Sequence, residues 1–413
     1  PVRIGAIYPA RISWPALDSL ASSPLVRQVD ADALYPVLAP LNETLPLVGA
    51  TALWGHLYDL LDEEPGQGVK IALIDAGIDV FHPAFFRADG GYYSWLDVDG
   101  NGELDFGVDA CDLDRDGAPS KGELLRFFPG MSGAAAPGSG EFVSDLDWAY
   151  TDTNGNGARD AGPDAGFTDA DPGFGEPLFV LDDVNRNGMA DPQEKFIALS
   201  SSKIGTAFVK GKEYVAGENL SALDPAIFSV GGAVSGPAHG TGSAGILVGN
   251  TPHLSRFAGM APGAKLYPID YLADWDSLNF SYMLKFNWAR SKKVDILLIQ
   301  TGSWGDNFMD GSSNMARALD EMHLQDGILA VAPAGNLAGA GKHMRHSFPP
   351  GATDLGVDLP GSWPGGGGTF NSGNLGLSLS WYGSTGDLAV TLTMPHGVPV
   401  PLPAPRAGPT PLV

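Results

Sequence analysis

Four short apolar runs set the main limit on how this chain can fold. Val69–Ile74 (VKIALI), Lys265–Ile269 (KLYPI), Val294–Ile299 (VDILLI) and Ile328–Ala332 (ILAVA) are mostly apolar and lack a regular polar alternation. A strand covered on both faces reads this way, because neither side of its pleat meets water. Helical spacing lies between the runs. Leu278, Tyr282 and Phe286 recur every fourth residue, and Met315, Leu319 and Met322 fall at i, i+4 and i+7 in a segment closed by Gly327. Strands alternating with helices predict an α/β domain on a parallel sheet. In such a sheet, chemistry gathers at the carboxyl ends of the strands.

The chain has 413 residues, enough for one large domain or a few ordinary ones. Its formal net charge of −24 excludes nucleic acid as a partner, since phosphate binding needs a basic footprint. Cys111 is the only cysteine, so no internal disulfide can form. No apolar run reaches the roughly 18 residues that span a membrane. The chain opens at Pro1 and stops at Val413, and is expected to be a segment of a longer precursor.

Residues 46–93 and 201–340 carry the strand–helix alternation, while 94–200 interrupt it. That stretch holds 22 of the 48 acidic residues and only 6 of the 24 basic ones. It repeats one spacing four times. Asp112, Asp114 and Asp116 stand at positions 1, 3 and 5 of a twelve-residue loop, with Gly117 at 6 and Glu123 at 12. Asp183, Asn185, Asn187, Gly188, Asp191 and Glu194 repeat the pattern at 1, 3, 5, 6, 9 and 12. Asp97, Asp99, Asn101 and Asp105, and likewise Asp152, Asn154, Asn156 and Asp160, fill 1, 3, 5 and 9 but lack the glutamate at 12. Oxygen donors at these positions suit Ca²⁺, and a solvated acidic loop is the alternative. Two to four structural Ca²⁺ sites are expected. So much Gly and Asp predicts little core, leaving metal binding to order the insertion. From 341 onward, Leu375, Leu377, Leu379 and Trp381, then Leu388, Val390 and Leu392, alternate around the turn residues 383–387, as in a β-hairpin of a sandwich.

Three polar residues sit where a parallel sheet would place chemistry. The first run leads into Asp75-Ala76-Gly77-Ile78-Asp79. His239-Gly240-Thr241-Gly242-Ser243-Ala244-Gly245 opens a helix of small residues, and Ile328–Ala332 leads through Pro333-Ala334-Gly335 to Asn336. Each has a plainer reading, as a cap, a loop histidine or a turn asparagine.

Together, and in this order, these pieces resemble the subtilases, the subtilisin-like serine proteases. Val48-Gly49-Ala50 with Trp54, the His82-Pro83 that follows Asp79, and Gly259–Leu266 (GMAPGAKL) add to the likeness. The resemblance implies a three-layer α/β fold over residues 46–93 and 201–340. It implies that His239 is the general base, Asp75 its orienting carboxylate and Asn336 an oxyanion donor. It places substrate contacts at Gly302, Ser303, Ala334 and Gly335, although Gln300-Thr301-Gly302 keeps only the glycine of the family's Ser-Leu-Gly. The family's Gly-Thr-Ser-x-Ala nucleophile motif does not occur in the chain, so the serine is expected beyond Val413. Residues 1–45 then read as a propeptide tail or N-terminal extension, and the long insertion resembles the pyrolysin and tripeptidyl-peptidase II branch. The implied protein is a serine endopeptidase acting on polypeptides, calcium-stabilised and extracellular or at the cell surface. The alternative is a catalytically inactive, calcium-binding surface or adhesion protein on the same scaffold.

Overall fold

A computed structural model describes residues 41–58, 63–128, 142–223, 238–270, 278–300, 311, 313–334, 392–393 and 399–400. Two short helices, α1 (Leu41–Leu47) and α2 (Ala50–His56), precede the first strand. Trp54 of α2 is tied to the body of the molecule by its indole N–H, which donates to the Met260 carbonyl at 3.0 Å.

The expected parallel sheet is present. Strand β1 (Lys70–Asp75) lies at its centre and pairs in parallel with the strands after it in the chain that cover Lys265–Asp270 and Ile296–Ile299. Alternate residues of β1 enter different cores. Ile71 and Leu73 join one cluster, and Ala72 and Ile74 join the other with Tyr282, Phe286 and Met322. A period of two on a strand buried on both sides produces this split, and it explains why the run carries no polar alternation.

The acidic insertion folds quite differently from the expectation. Strands β2 (Tyr92–Leu96), β3 (Ala110–Cys111), β4 (Leu125–Phe128), β5 (Trp148–Thr151), β6 (Leu178–Asp182) and β7 (Lys195–Leu199) form a six-stranded sheet in the order β3-β2-β7-β6-β5-β4, with every pairing antiparallel. The prediction of little core is wrong. Trp95, Cys111, Leu125, Phe179, Leu181 and Phe196 pack on one face. Trp148, Tyr150, Leu178, Val180, Ile197 and Leu199 pack on the other, in the same cluster as Ile71 and Leu73 of β1. Short runs such as LFVL and KFIAL supply both faces, and the surrounding Asp and Gly concentrate in the connecting loops.

The chain then returns to the first sheet. It adds β8 (Thr206–Val209) and the antiparallel edge strand β9 (Lys212–Val215), then helix α3 (Ala238–Val248), β10 (Lys265–Asp270), α4 (Leu278–Ser291), β11 (Ile296–Ile299), α5 (Asn314–Asp326) and β12 (Leu329–Val331). The strand order is β12-β11-β1-β10-β8-β9. The Ser313 hydroxyl caps α5 by accepting from the Ala316 N–H at 3.1 Å, and Gly327 ends the helix in the left-handed region at φ 71°. That conformation favours glycine because it carries no Cβ. Strand β12 departs from its reading as a buried strand. Leu329 and Val331, which share one face of the strand, are exposed, and β12 is the last strand of the described sheet. Of the β-rich stretch predicted after 341, the described residues are a short antiparallel ladder, Leu392–Thr393 against Pro399–Val400. The hairpin read at 375–392 otherwise lies outside the described residues.

Candidate functional site

The topology brings Asp75 and His239 together across 164 positions of sequence. Asp75 is the last residue of β1 and is 1% exposed. His239 is the second residue of α3, and its side chain is 52% exposed. The His239 Nδ1 lies 2.7 Å from Asp75 Oδ1, which also accepts from the Ala76 N–H at 2.6 Å. With Nδ1 donating to the carboxylate, Nε2 is the nitrogen left to take up or release a proton.

The residues around the pair explain the motif. Helix α3 docks by its first turn onto the chain leaving β1. The Gly240 N–H donates to Ala76 O at 2.7 Å, and the Thr241 N–H to Gly77 O at 3.1 Å. The Thr241 hydroxyl accepts from the Asp79 N–H at 2.8 Å. A Cβ on Gly240 would fall 2.5 Å from Ile78 Cγ1 and 2.7 Å from Ala76 O, so only glycine permits this approach. The Asp-Ala-Gly-Ile-Asp and His-Gly-Thr segments therefore form one interlocked unit.

Strands β11 and β12 run parallel to β1 and end on the same edge of the sheet as Asp75. Ala334 follows β12 there and is exposed. Asn336, Gly302, Ser303 and Gly335 lie outside the described residues.

The four acidic loops share one backbone geometry. The sixth-position glycines, Gly102, Gly117, Gly157 and Gly188, all have φ between 75° and 86°. Each donates its N–H to the carboxylate at position 1, from Asp97, Asp112, Asp152 or Asp183. At position 9, Asp105, Asp160 and Asp191 accept from the Asn side chains of their own loops. Carboxylate oxygens of Asp97, Asp99 and Asp109, and of Asp112, Asp114 and Asp116, lie close enough together to share one cation.

Two residues that pattern reading missed complete the comparison. In the loops with a glutamate at 12, that carboxylate bridges the N–H groups of positions 2 and 9. Glu123 accepts from Leu113 at 2.8 Å and Ser120 at 2.9 Å. Glu194 accepts from Val184 at 2.8 Å and Asp191 at 3.0 Å. Asp109 bridges Val98 (2.8 Å) and Asp105 (2.6 Å) in the loop starting at Asp97. Glu176 bridges Thr153 (2.7 Å) and Asp160 (2.9 Å) in the loop starting at Asp152. All four closing carboxylates are at most 3% exposed. The two loops that lack a glutamate at 12 therefore take a carboxylate from elsewhere. Asp109 sits one residue later with a shorter side chain, and Glu176 reaches in from 24 residues downstream, just before β6. No fixed spacing could have revealed Glu176. For Asp109, the signal was an acidic residue at position 13.

The electrostatics of these loops favour ionised carboxylates. Burial pushes the carboxyls of Glu123, Asp152 and Asp183 up, but hydrogen bonds outweigh it and hold all three below the ordinary range. The donors are Ser120 and Leu113 for Glu123, Gly157 and Arg126 for Asp152, and Ser144 and Gly188 for Asp183. Asp97 is also held low, chiefly by the Gly102 N–H. The donor set is entirely oxygen, which fits a hard cation such as Ca²⁺ and not a thiolate- or imidazole-seeking metal.

A family model described as the Subtilase family, Peptidase_S8, matches residues 66–366. Among solved structures, the Clostridium perfringens CspB protease is similar at 14% identity with a TM-score of 0.34. The match covers 70% of this chain and 40% of that one, so the chain spans well under two thirds of that protease. No curated protein matches the chain. No helix among the described residues is long and apolar enough to cross a membrane.

Proposed function

The chain belongs to the subtilase family, and on that premise we propose that its protein is a calcium-stabilised serine endopeptidase in which His239 and Asp75 form the proton-handling half of a catalytic triad. The 2.7 Å contact between the half-exposed imidazole and the buried carboxylate carries this reading. His239 Nε2 takes the proton of an attacking serine hydroxyl and returns it to the leaving amine. Asp75 fixes the tautomer with Nδ1 protonated and stabilises the imidazolium while it exists. Asn336 is assigned to the oxyanion of the tetrahedral intermediate, a contact worth about 3–4 kcal/mol in acyl transfer. Gly302, Ser303, Ala334 and Gly335 are assigned to the extended peptide substrate, which main-chain hydrogen bonds can hold without side-chain identity. The serine is proposed to come from a part of the protein outside these 413 residues.

Calcium enters as a structural ion. Position-1, -3 and -5 oxygens with a closing carboxylate would hold it. These are Asp97, Asp99, Asn101 and Asp109; Asp112, Asp114, Asp116 and Glu123; Asp152, Asn154, Asn156 and Glu176; and Asp183, Asn185, Asn187 and Glu194. A bound cation would offset the mutual repulsion of these carboxylates. Abundant free Ca²⁺ outside cells makes an extracellular or cell-surface location the natural one.

The test is hydrolysis of an unfolded protein substrate by the full-length protein. His239→Ala and Asp75→Asn are each expected to lower kcat by about 10⁴-fold. Full activity in either variant would exclude the triad, and no hydrolysis by the folded wild type would favour the inactive-scaffold reading.

A further inference from the structure

Helix α3 is a weak helix that must be held in place. Its sequence, AHGTGSAGILV, includes Gly240, Gly242 and Gly245, and glycine is the poorest helix former after proline. Its first turn is fastened to the end of β1, as described above. Its far end leaves four carbonyls without partners inside the helix. Each finds one. Gly245 O accepts from the Gly249 N–H at 2.9 Å, Ile246 O from Met260 at 2.8 Å and Leu247 O from Ala261 at 2.8 Å. The last, Val248 O, accepts from the Nζ of Lys203 at 2.7 Å, which also donates to Asn250 O at 2.5 Å.

Lys203 is the one side chain in this cap, and it is 0% exposed. Its backbone is clamped on both sides. The Lys203 N–H donates to Phe85 O at 2.8 Å, and its carbonyl accepts from the Leu266 N–H at 2.9 Å. Among the described residues no carboxylate lies within ion-pair distance of Nζ. The negative end of α3 takes that place, and a cation there complements the helix dipole. Burial lowers the pKa of Lys203 to about 7, with Glu64 opposing the shift and Arg87 adding to it. The fold thus keeps an amine where burial disfavours its charged form. A well-packed apolar side chain would carry no such cost.

We propose that Lys203 is a positioning residue for His239, fixing the C-terminal end of α3 so that the imidazole at the other end meets Asp75. The inference rests on the reading of His239 as the general base. Lys203 touches neither substrate nor the reacting atoms, and acts through the helix alone.

The experiment uses the full-length protein with ¹⁵N-labelled histidine. The Nδ1 proton shared with Asp75 is expected as a downfield resonance, assigned by its loss in His239→Ala. In Lys203→Met that resonance should broaden or vanish, and kcat should fall about 10-fold with KM within twofold. The melting temperature should change little, because the lost hydrogen bonds are offset by removal of a buried charge. Lys203→Gln, which retains an N–H donor, should recover part of both signals, and it keeps the test open if the methionine variant fails to fold. An unchanged Nδ1 resonance and unchanged kcat per folded molecule, with only a lower melting temperature, would overturn the proposal and leave Lys203 purely structural. If the resonance responds to Lys203→Met while His239→Ala retains peptidase activity, Lys203 does position the imidazole, and it is the reading of His239 as the general base that fails.

Discussion

The two sheets of this molecule use polar residues in opposite ways. The parallel sheet brings one carboxylate at the end of β1 to one imidazole on α3, from 164 positions away. The antiparallel sheet carries acidic loops whose donors sit within a few residues of one another, repeated four times. The first kind of site exists only when strand order and helix docking are right. The second is nearly complete in any stretch of chain that forms the loop. A substitution at the Asp75–His239 pair should therefore remove chemistry and spare the fold, whereas one in the acidic loops should loosen the fold and affect chemistry only indirectly.

The largest expected effect lies in the parallel sheet. Asp75→Asn should leave the circular dichroism spectrum intact and lower kcat by about 10⁴-fold, because the imidazole loses the partner that selects its tautomer. An equally large loss from an acidic-loop substitution that leaves the protein folded would erase the contrast between the sheets.

Next come the closing carboxylates. Glu176→Gln and Asp109→Asn should each weaken one Ca²⁺ site about 10-fold or more in isothermal titration calorimetry. Each should also cost about 1–3 kcal/mol of stability, since a buried acceptor of two backbone N–H groups is impaired. The exposed Asp164, outside the loop donors, serves as control, and Asp164→Asn should do neither. Equal behaviour of Asp109→Asn and Asp164→Asn would remove Asp109 from the set.

Chelation should have a moderate effect. A single site with ligand at 100-fold its Kd stabilises by about 2.7 kcal/mol. The melting temperature should fall on adding a chelator, yet Trp95 and Trp148 should keep the blue-shifted fluorescence of buried indoles, because the sheet has its own core. Complete unfolding of the insertion on chelation would restore the picture of a segment ordered by metal alone.

The smallest effect is on pH dependence without calcium. Asp97, Glu123, Asp152 and Asp183 have carboxyls held below their ordinary range. A carboxyl lowered in the folded state stabilises above its unfolded pKa, and that contribution is lost as pH falls through the folded value. The contribution of these four carboxyls to the melting temperature of the chelated protein should thus be constant from neutral pH to about 5 and be lost below about 4. Burial and hydrogen bonds at Glu123 oppose each other, so its substitution by Gln should flatten the acid limb only partly.

How legible each region was in the sequence follows from the same contrast. The β1 run, its Asp75, the α5 periodicity and the Gly327 stop were readable because period and chain order encode them directly. The position-1, -3 and -5 donors were readable because they are local. Glu176 was not, since its place in the loop is set by the pairing of β5 with β6. The core of the insertion was also missed. Strands such as Trp148–Thr151 and Leu178–Asp182 are so short that the acidic loops around them dominate any window of composition. Lys203 carries no motif at all. Its role depends on α3 ending beside it, which the fold alone decides.

The most direct test of the central claim is labelling of the full-length protein with a serine-directed fluorophosphonate, alongside His239→Ala. Labelling of the wild type that disappears in the variant is the expected result, because only a serine activated by His239 reacts at an appreciable rate. No labelling of a folded, calcium-replete wild type, or equal labelling of wild type and variant, would contradict a triad built on Asp75 and His239.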